Sequence, residues 1–217
     1  MAELFDEVDE EVRREQLKRL WDKYSIFLIA LLVLIIAGVG GWKAYEYYQA
    51  KQAGEAGAAF NAAADLAEQN KRPEAAAAFE KLAATAPSGY RTLARLRAAA
   101  ETSFDKPTDA VKQYDAIAAD SSVPQPFRDL ASVRAARLVM DSASYTDMAK
   151  RLETASGPNG VYRHTAREML ALSAWRSNDV AQTRKWLDQI TNDAETPSSL
   201  RGRADVLQAL LPPAAKS

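Results

Sequence analysis

The chain has 217 residues, no cysteine, one histidine, and a formal charge of −1 from 28 basic and 29 acidic side chains. That composition excludes a disulfide framework and thiol chemistry, and a balance so close to zero gives no electrostatic reason to expect a nucleic acid partner. The balance is uneven, however: residues 1–23 carry five basic and eight acidic side chains, net −3, which leaves +2 for the remainder.

The tail, Asp6–Lys23 (DEVDEEVRREQLKRLWDK), is acidic first and basic last, the order that suits a helix macrodipole. Its apolar positions Leu17, Leu20 and Trp21 lead directly into the next segment, as either a membrane-hugging entry helix or a docking segment. From Tyr24 to Trp42 there are nineteen residues without a charge, and Ile26–Ile36 (IFLIALLVLII) is almost wholly aliphatic. As a helix this run covers roughly 28 Å, about the thickness of bilayer hydrocarbon. Trp21 and Tyr24 stand before it and Trp42, Tyr45, Tyr47 and Tyr48 after it, where amphipathic rings settle at a membrane interface. Five basic residues (Arg13, Arg14, Lys18, Arg19, Lys23) precede the run, and only Lys43 and Lys51 lie in the twenty residues that follow it. Basic flanks stay in the cytoplasm and carboxylates count little, so the N-terminus is expected inside. A cleavable signal sequence is the competing reading, with Ala37-Gly38-Val39 as a small-residue site. The net acidic leader of 23 residues and the length of the apolar run argue against it. The expected organisation is a cytoplasmic tail over 1–23, a transmembrane helix over 24–42 and a periplasmic domain over 43–217.

Those 175 residues are enough for one domain with a sizeable core. They show no alternating β-branched runs, so the expected class is all-α. Breakers cut the helices: the span continues to about Asn70, then Pro73–Ala86, Tyr90–Phe104, Pro107–Asp120, Pro126–Asp141, Tyr145–Ala155, Val161–Arg176, Asp179–Asn192 and Pro197–Leu211, the last stopped by Pro212-Pro213. Pro73, Pro107 and Pro197 suit a first helical position, and Thr196 and Asp179 suit N-caps.

Longer and shorter helices alternate, as successive hairpins do. In the shorter ones Ala75, Phe79 and Leu82 recur as Ala110, Tyr114 and Ile117, more weakly as Met148, Leu152 and Ala155, and again as Thr183, Leu187 and Ile190. Each set falls on one helix face, a small residue admitting the partner helix and a bulky one filling the gap beside it. Pro87, twelve residues after Ala75, stands where a tetratricopeptide repeat closes. The pattern resembles a degenerate tetratricopeptide array with a period near 34 residues, an α-solenoid of helical hairpins. An irregular alanine-rich bundle is the alternative.

Reactive groups do not converge. His164 has no cysteine or second histidine to join it and suits a solvated or core-edge place; no nucleotide-binding or zinc-protease motif occurs, and carboxylates are scattered singly. No catalytic, cofactor-binding or metal-binding residue is expected. The longer helices are biased toward arginine instead. Arg97, Arg134, Arg137 and Arg167 come from three successive longer helices, which repeat geometry would turn to one concave side. There the planar guanidinium fork suits partner carboxylates and peptide carbonyls. Ion pairing with neighbouring helices is the other reading for each of them.

The tail VDEEVRREQLKRLWDKY, the span ending GVGGWKAYEYY, the segment Gly89–Ala98 (GYRTLARLRA) and the hairpin around Trp175–Trp186 together resemble the YfgM-like family of ancillary Sec translocon subunits. The resemblance implies a bacterial inner-membrane protein beside the SecYEG channel. It would partner a membrane-anchored periplasmic chaperone of the prolyl-isomerase-like type and assist newly exported polypeptides, without catalysis. A scaffold for cell-envelope assembly or division, released by signal cleavage, is the second possibility. An enzyme or receptor with a site built from dispersed residues is the third.

Overall fold

The computed structural model describes residues 2–212, with side chains from Arg13 onward apart from Gln16. The acidic side chains from Glu3 to Glu11, and Pro213 at the expected final stop, lie outside the described residues. The chain divides into two compact units, residues 1–52 and 53–217. Among the described residues it is helical throughout, with no strand.

The first unit is the leading part of α1 (Ala2–Glu68). Its aliphatic run is exposed among the described residues: Ile26, Leu34 and Ile36 are 71%, 71% and 62% exposed. Among the described residues one helix is long and apolar enough to cross a bilayer, by length and composition, and it contains this run.

The second unit begins in the last turns of α1 and continues through α2 (Arg72–Thr85), α3 (Ser88–Asp105), α4 (Pro107–Ala119), α5 (Gln125–Leu138), α6 (Tyr145–Ser156), α7 (Arg163–Arg176), α8 (Val180–Thr191) and α9 (Ser198–Ala209). Most boundaries fall within two residues of the expected ones. α5 stops three residues early because the chain turns at Val139, whose carbonyl accepts from both Ser142 and Ala143. Asp179 caps α8 as expected, accepting from the Gln182 amide at 3.0 Å. Thr196 does not cap α9: its hydroxyl is drawn inward to the Ile190 carbonyl at 2.7 Å, and Pro197 takes the cap position. Pro107 opens α4, whereas Pro73 is the second residue of α2. Two asparagines close longer helices in the left-handed region, Asn70 at φ 60° and Asn178 at φ 57°, a conformation asparagine tolerates better than most side chains.

Every residue of the four recurrent sets is buried. Phe79, Tyr114, Leu152 and Leu187 occupy the bulky position, and Ala75, Ala110, Met148 and Thr183 the small one, each no more than 3% exposed. These residues seed four successive core clusters, shared by α1–α2–α3, α3–α4–α5, α5–α6–α7 and α7–α8–α9. Each helical pair therefore packs chiefly on its neighbours, as in a repeat stack whose core grows one hairpin at a time.

The longer helices hold a second register. Ala94, Leu96, Ala98 and Ala99 of α3 are matched by Ala131, Val133, Ala135 and Ala136 of α5, and by Met169, Ala171, Ser173 and Ala174 of α7, all buried. Mostly small residues at these positions let consecutive longer helices approach closely. That register fixes which surface positions line up.

Candidate partner-binding face

Within the second unit the backbones of α3 and α5, α5 and α7, and α7 and α9 come close, whereas α2, α4, α6 and α8 reach one another through long side chains, Gln113 to Glu80, Arg151 to Asp115, and Tyr145 with Gln182 and Trp186. The longer helices thus form the crowded inner row and the shorter ones the splayed outer row. In the shared register, Leu93, Arg97, Ala100 and Phe104 of α3 correspond to Leu130, Arg134, Arg137 and Asp141 beside α5, and α7 continues the lines with Glu168, Leu172 and Trp175. Spacings of three and four residues place each set on one face. It is the inner face, because the opposite side of α5, at Ser132 and Val139, lines a 630 Å³ hollow shared with α4 and α6. Of this inner stripe Leu93, Phe104, Arg137, Leu172 and Trp175 are exposed.

Three of the four arginines singled out by sequence reach this face. Arg97 pairs with Glu101 of its own helix at 3.3 Å, and its guanidinium lies 5.5 Å from the Phe79 ring. Glu101 is itself buried and also accepts from Arg72 at 3.0 Å. Arg134 and Arg137 are different. Neither has a hydrogen bond or ion pair among the described residues, although the other arginines of residues 53–212 each find an acceptor there. Arg137 lies in the last turn of α5, where a cation complements the helix dipole. Arg134, one turn back, has no such compensation. Arg137 is exposed and Arg134 half-buried, and these two guanidiniums three residues apart meet no acceptor among the described residues.

Arg167 is elsewhere. It is 7% exposed, and its guanidinium donates to the Ser156 carbonyl at 3.1 Å, the Gln189 carbonyl at 3.3 Å and Asp193 at 2.9 Å. It ties α6, α8 and the following loop to α7, so its donors are not available to a partner. Arg163 joins the same knot, donating to Asp193 at 2.8 Å and to Glu195. The hydrogen bonds from Arg163 hold Asp193 far below the usual carboxylate range and push Arg163 upward in turn. On the loop between α4 and α5, Ser122 and Arg95 lower Asp120 to about 2. His164 takes the core-edge place, with Nδ1 3.1 Å from the Thr196 hydroxyl. Since that hydroxyl donates to Ile190, it accepts from His164. Burial, then the Arg163 charge, lower the imidazole's pKa.

All three lowered groups have the same sign of linkage. Asp193 and Asp120 contribute stability that is complete above 3.8 and fades as pH falls toward 2 and below. His164, kept neutral by the fold, contributes stability above 6.5 that fades as pH drops from there. The urea midpoint is accordingly expected to decline from pH 7 to pH 5 in the unaltered chain but not in His164→Gln. A second decline is expected below pH 4 in both. A flat wild-type midpoint between pH 7 and 5 would contradict the assigned environment of His164.

Sequence reasoning missed the apolar partners of this face. Leu93, Phe104, Leu172 and Trp175 are exposed at 40%, 62%, 39% and 47%, and they occupy the same lines as the arginines. Beside them an apolar hollow of 310 Å³ lies between α7, α8 and α9, floored by Leu187, Ile190 and Leu207. Leu172 is on its rim, which Arg203 and Glu168 span with bonds of 2.6 and 3.0 Å. The spacing of Leu93 and Leu172 relative to the arginines carried this signal, but only in the register of the longer helices. The face offers donors beside apolar surface along a row of helices, an arrangement suited to a polypeptide.

No curated protein and no solved structure matches the chain. The model of a tetratricopeptide repeat-like domain matches residues 18–169. The match begins ahead of the apolar run, so the long first helix is part of the family pattern together with the hairpins. With well over half its length matched, and with the recurrent residue sets of the four short helices all buried, the chain belongs to the tetratricopeptide repeat-like domain family, a protein-interaction scaffold.

Proposed function

We propose that the chain is a non-catalytic, membrane-anchored interaction protein of the YfgM-like type. Residues 1–23 are its cytoplasmic tail, residues 24–42 cross the bacterial inner membrane, and residues 43–217 form its periplasmic domain. In this reading it is an ancillary subunit beside SecYEG. It works with a membrane-anchored prolyl-isomerase-like chaperone and holds exported polypeptides as they emerge.

The observation that carries the reading is the uncovered apolar helix. From Ile26 to Val39 its large side chains are all more than half exposed. A soluble protein rarely leaves a continuous apolar surface of that size in water, whereas lipid makes it favourable. The basic flank before the run and the aromatic residues on both sides supply orientation and interface anchors. Tethering also explains how a scaffold with modest affinity would suffice, since partners confined to one membrane meet at high effective concentration.

Protease added to spheroplasts should digest the 43–217 domain and leave only a short protected fragment. Protection of that domain would reverse the topology and remove the Sec reading with it. The mass of the mature chain separates this account from a released scaffold, because cleavage near Ala37–Val39 would take away the tail and most of the span.

A further inference from the structure

We infer that the inner face of the repeat domain recognises an extended peptide segment bearing a carboxylate side chain three residues from a bulky apolar one. The carboxylate would seat on Arg134 and Arg137, and the apolar side chain against Leu172 and Trp175. This deepens the interaction function proposed above and rests on it.

The unpartnered arginines come first. Arg134 and Arg137 are without an acceptor among the described residues, in a unit where each other arginine has at least one from within. Unlike Arg167, neither is needed to join helices. Their donors lie one turn apart on one face of α5, spaced to hold the two oxygens of a carboxylate or one carboxylate and the adjacent peptide carbonyl.

The register of the longer helices then supplies the second contact. Leu172 and Trp175 occupy on α7 the places that Arg134 and Arg137 occupy on α5. Packed helices stand about 8–10 Å apart, and an extended or polyproline-like segment rises about 3.1–3.3 Å per residue. A peptide crossing from α5 to α7 therefore covers the step in three residues. In a polyproline-like conformation residues three apart share a face, so acid and apolar side chain both point into the groove. Charge complementarity selects an acidic peptide: the face presents Arg134 and Arg137 unpaired among the described residues, beside Arg97 already paired with Glu101 and with Asp141 at its edge. An acidic side chain placed instead at α7 would meet Glu168 and the indole of Trp175.

The test uses the full chain in detergent micelles and two fluorescein-labelled decapeptides, alike except at one position. The first has a single Glu three residues before a Leu in an otherwise Gly/Ser sequence; the second has Gln in place of the Glu. Fluorescence anisotropy should show the Glu peptide binding about tenfold more tightly than the Gln peptide, with an advantage that shrinks as salt is raised. In Arg134→Gln/Arg137→Gln the advantage should disappear while the weak Gln-peptide binding stays. In Trp175→Ala both peptides should weaken together. Equal binding of the two peptides to the unaltered protein would overturn the inference, whatever the variants do. So would an undiminished Glu preference in the double variant, or equal affinity for a third decapeptide in which the Glu directly precedes the Leu. The topology experiment is separate: Glu selectivity in a domain found on the cytoplasmic side would leave this inference standing and remove the Sec reading. A periplasmic domain without Glu selectivity would do the reverse.

Discussion

Replacing Phe79 by alanine is expected to cost about 3–5 kcal/mol of stability, the range for removing a fully buried aromatic ring. Phe79 is 0% exposed, and its ring meets Phe60 edge to face at a centroid distance of 5.1 Å. The walls around it are Ala56, Ala63, Ala75, Ala94 and Ala98 with Leu82. The alanines cannot move to refill the space, whereas Phe60 and Leu82 can shift part of the way into it, so the cost should fall within that range rather than at its top. Because each core cluster joins one hairpin to the next, the damage should be local. Hydrogen exchange should accelerate first in α2 and α3 and least in α8 and α9. Phe104→Ala is the control: that ring is 62% exposed, and its contact is the Arg72 guanidinium 3.5 Å away. A midpoint for Phe79→Ala close to that of Phe104→Ala would mean that the small-and-bulky register does not build the core.

The second large effect separates arginines that look alike in sequence. Arg167→Ala removes three hydrogen bonds from a buried guanidinium and strands the carbonyls of Ser156 and Gln189. Hydrogen bonds to a charged group are worth more than neutral ones, and buried groups left unpaired are costly, so the loss should be about 2–3 kcal/mol. Asp193 keeps Arg163, which holds the loss below that of a fully orphaned ion pair. Arg134→Ala/Arg137→Ala removes two side chains, one half-buried and one exposed, that make no hydrogen bond or ion pair among the described residues, and should cost less, about 1 kcal/mol at most. Chemical unfolding of the two variants side by side measures the contrast. Similar losses would show that Arg134 and Arg137 are also part of the internal bracing.

The contrast shows where the sequence was legible. In α2, α4, α6 and α8 the contacts are made by Phe79, Tyr114, Leu152 and Leu187 at helical spacing against polar neighbours, and that contrast is visible in one dimension. The proline and glycine breakers were equally direct, because they act on their own residue and the next. The longer helices gave no such signal. They bury Thr92, Glu101, Asp129, Arg167 and Ser173 alongside alanines, so hydrophobicity hardly marks their inner faces. The partner that distinguishes Arg167 from Arg134 is Asp193, on a loop that returns to α7 only after α8 has formed. Thr196 has the composition of a cap and lost that role to the Ile190 carbonyl, again a contact six residues away that local pattern does not encode. Groove position is a property of the stack, and it becomes readable only once the alanine register aligns α3, α5 and α7.

Site-specific photo-crosslinking in the native membrane tests the central claim most directly. A benzophenone amino acid is placed at Leu93 or Leu172 on the inner row, and at Lys81 or Lys112 on the exposed outer helices. Protein adducts should form from the inner positions in membranes prepared without detergent, should be absent from the outer ones, and should diminish in Arg134→Ala/Arg137→Ala. Adducts formed equally from both rows, or only from Lys81 and Lys112, would contradict the claim that partners are held on the inner face.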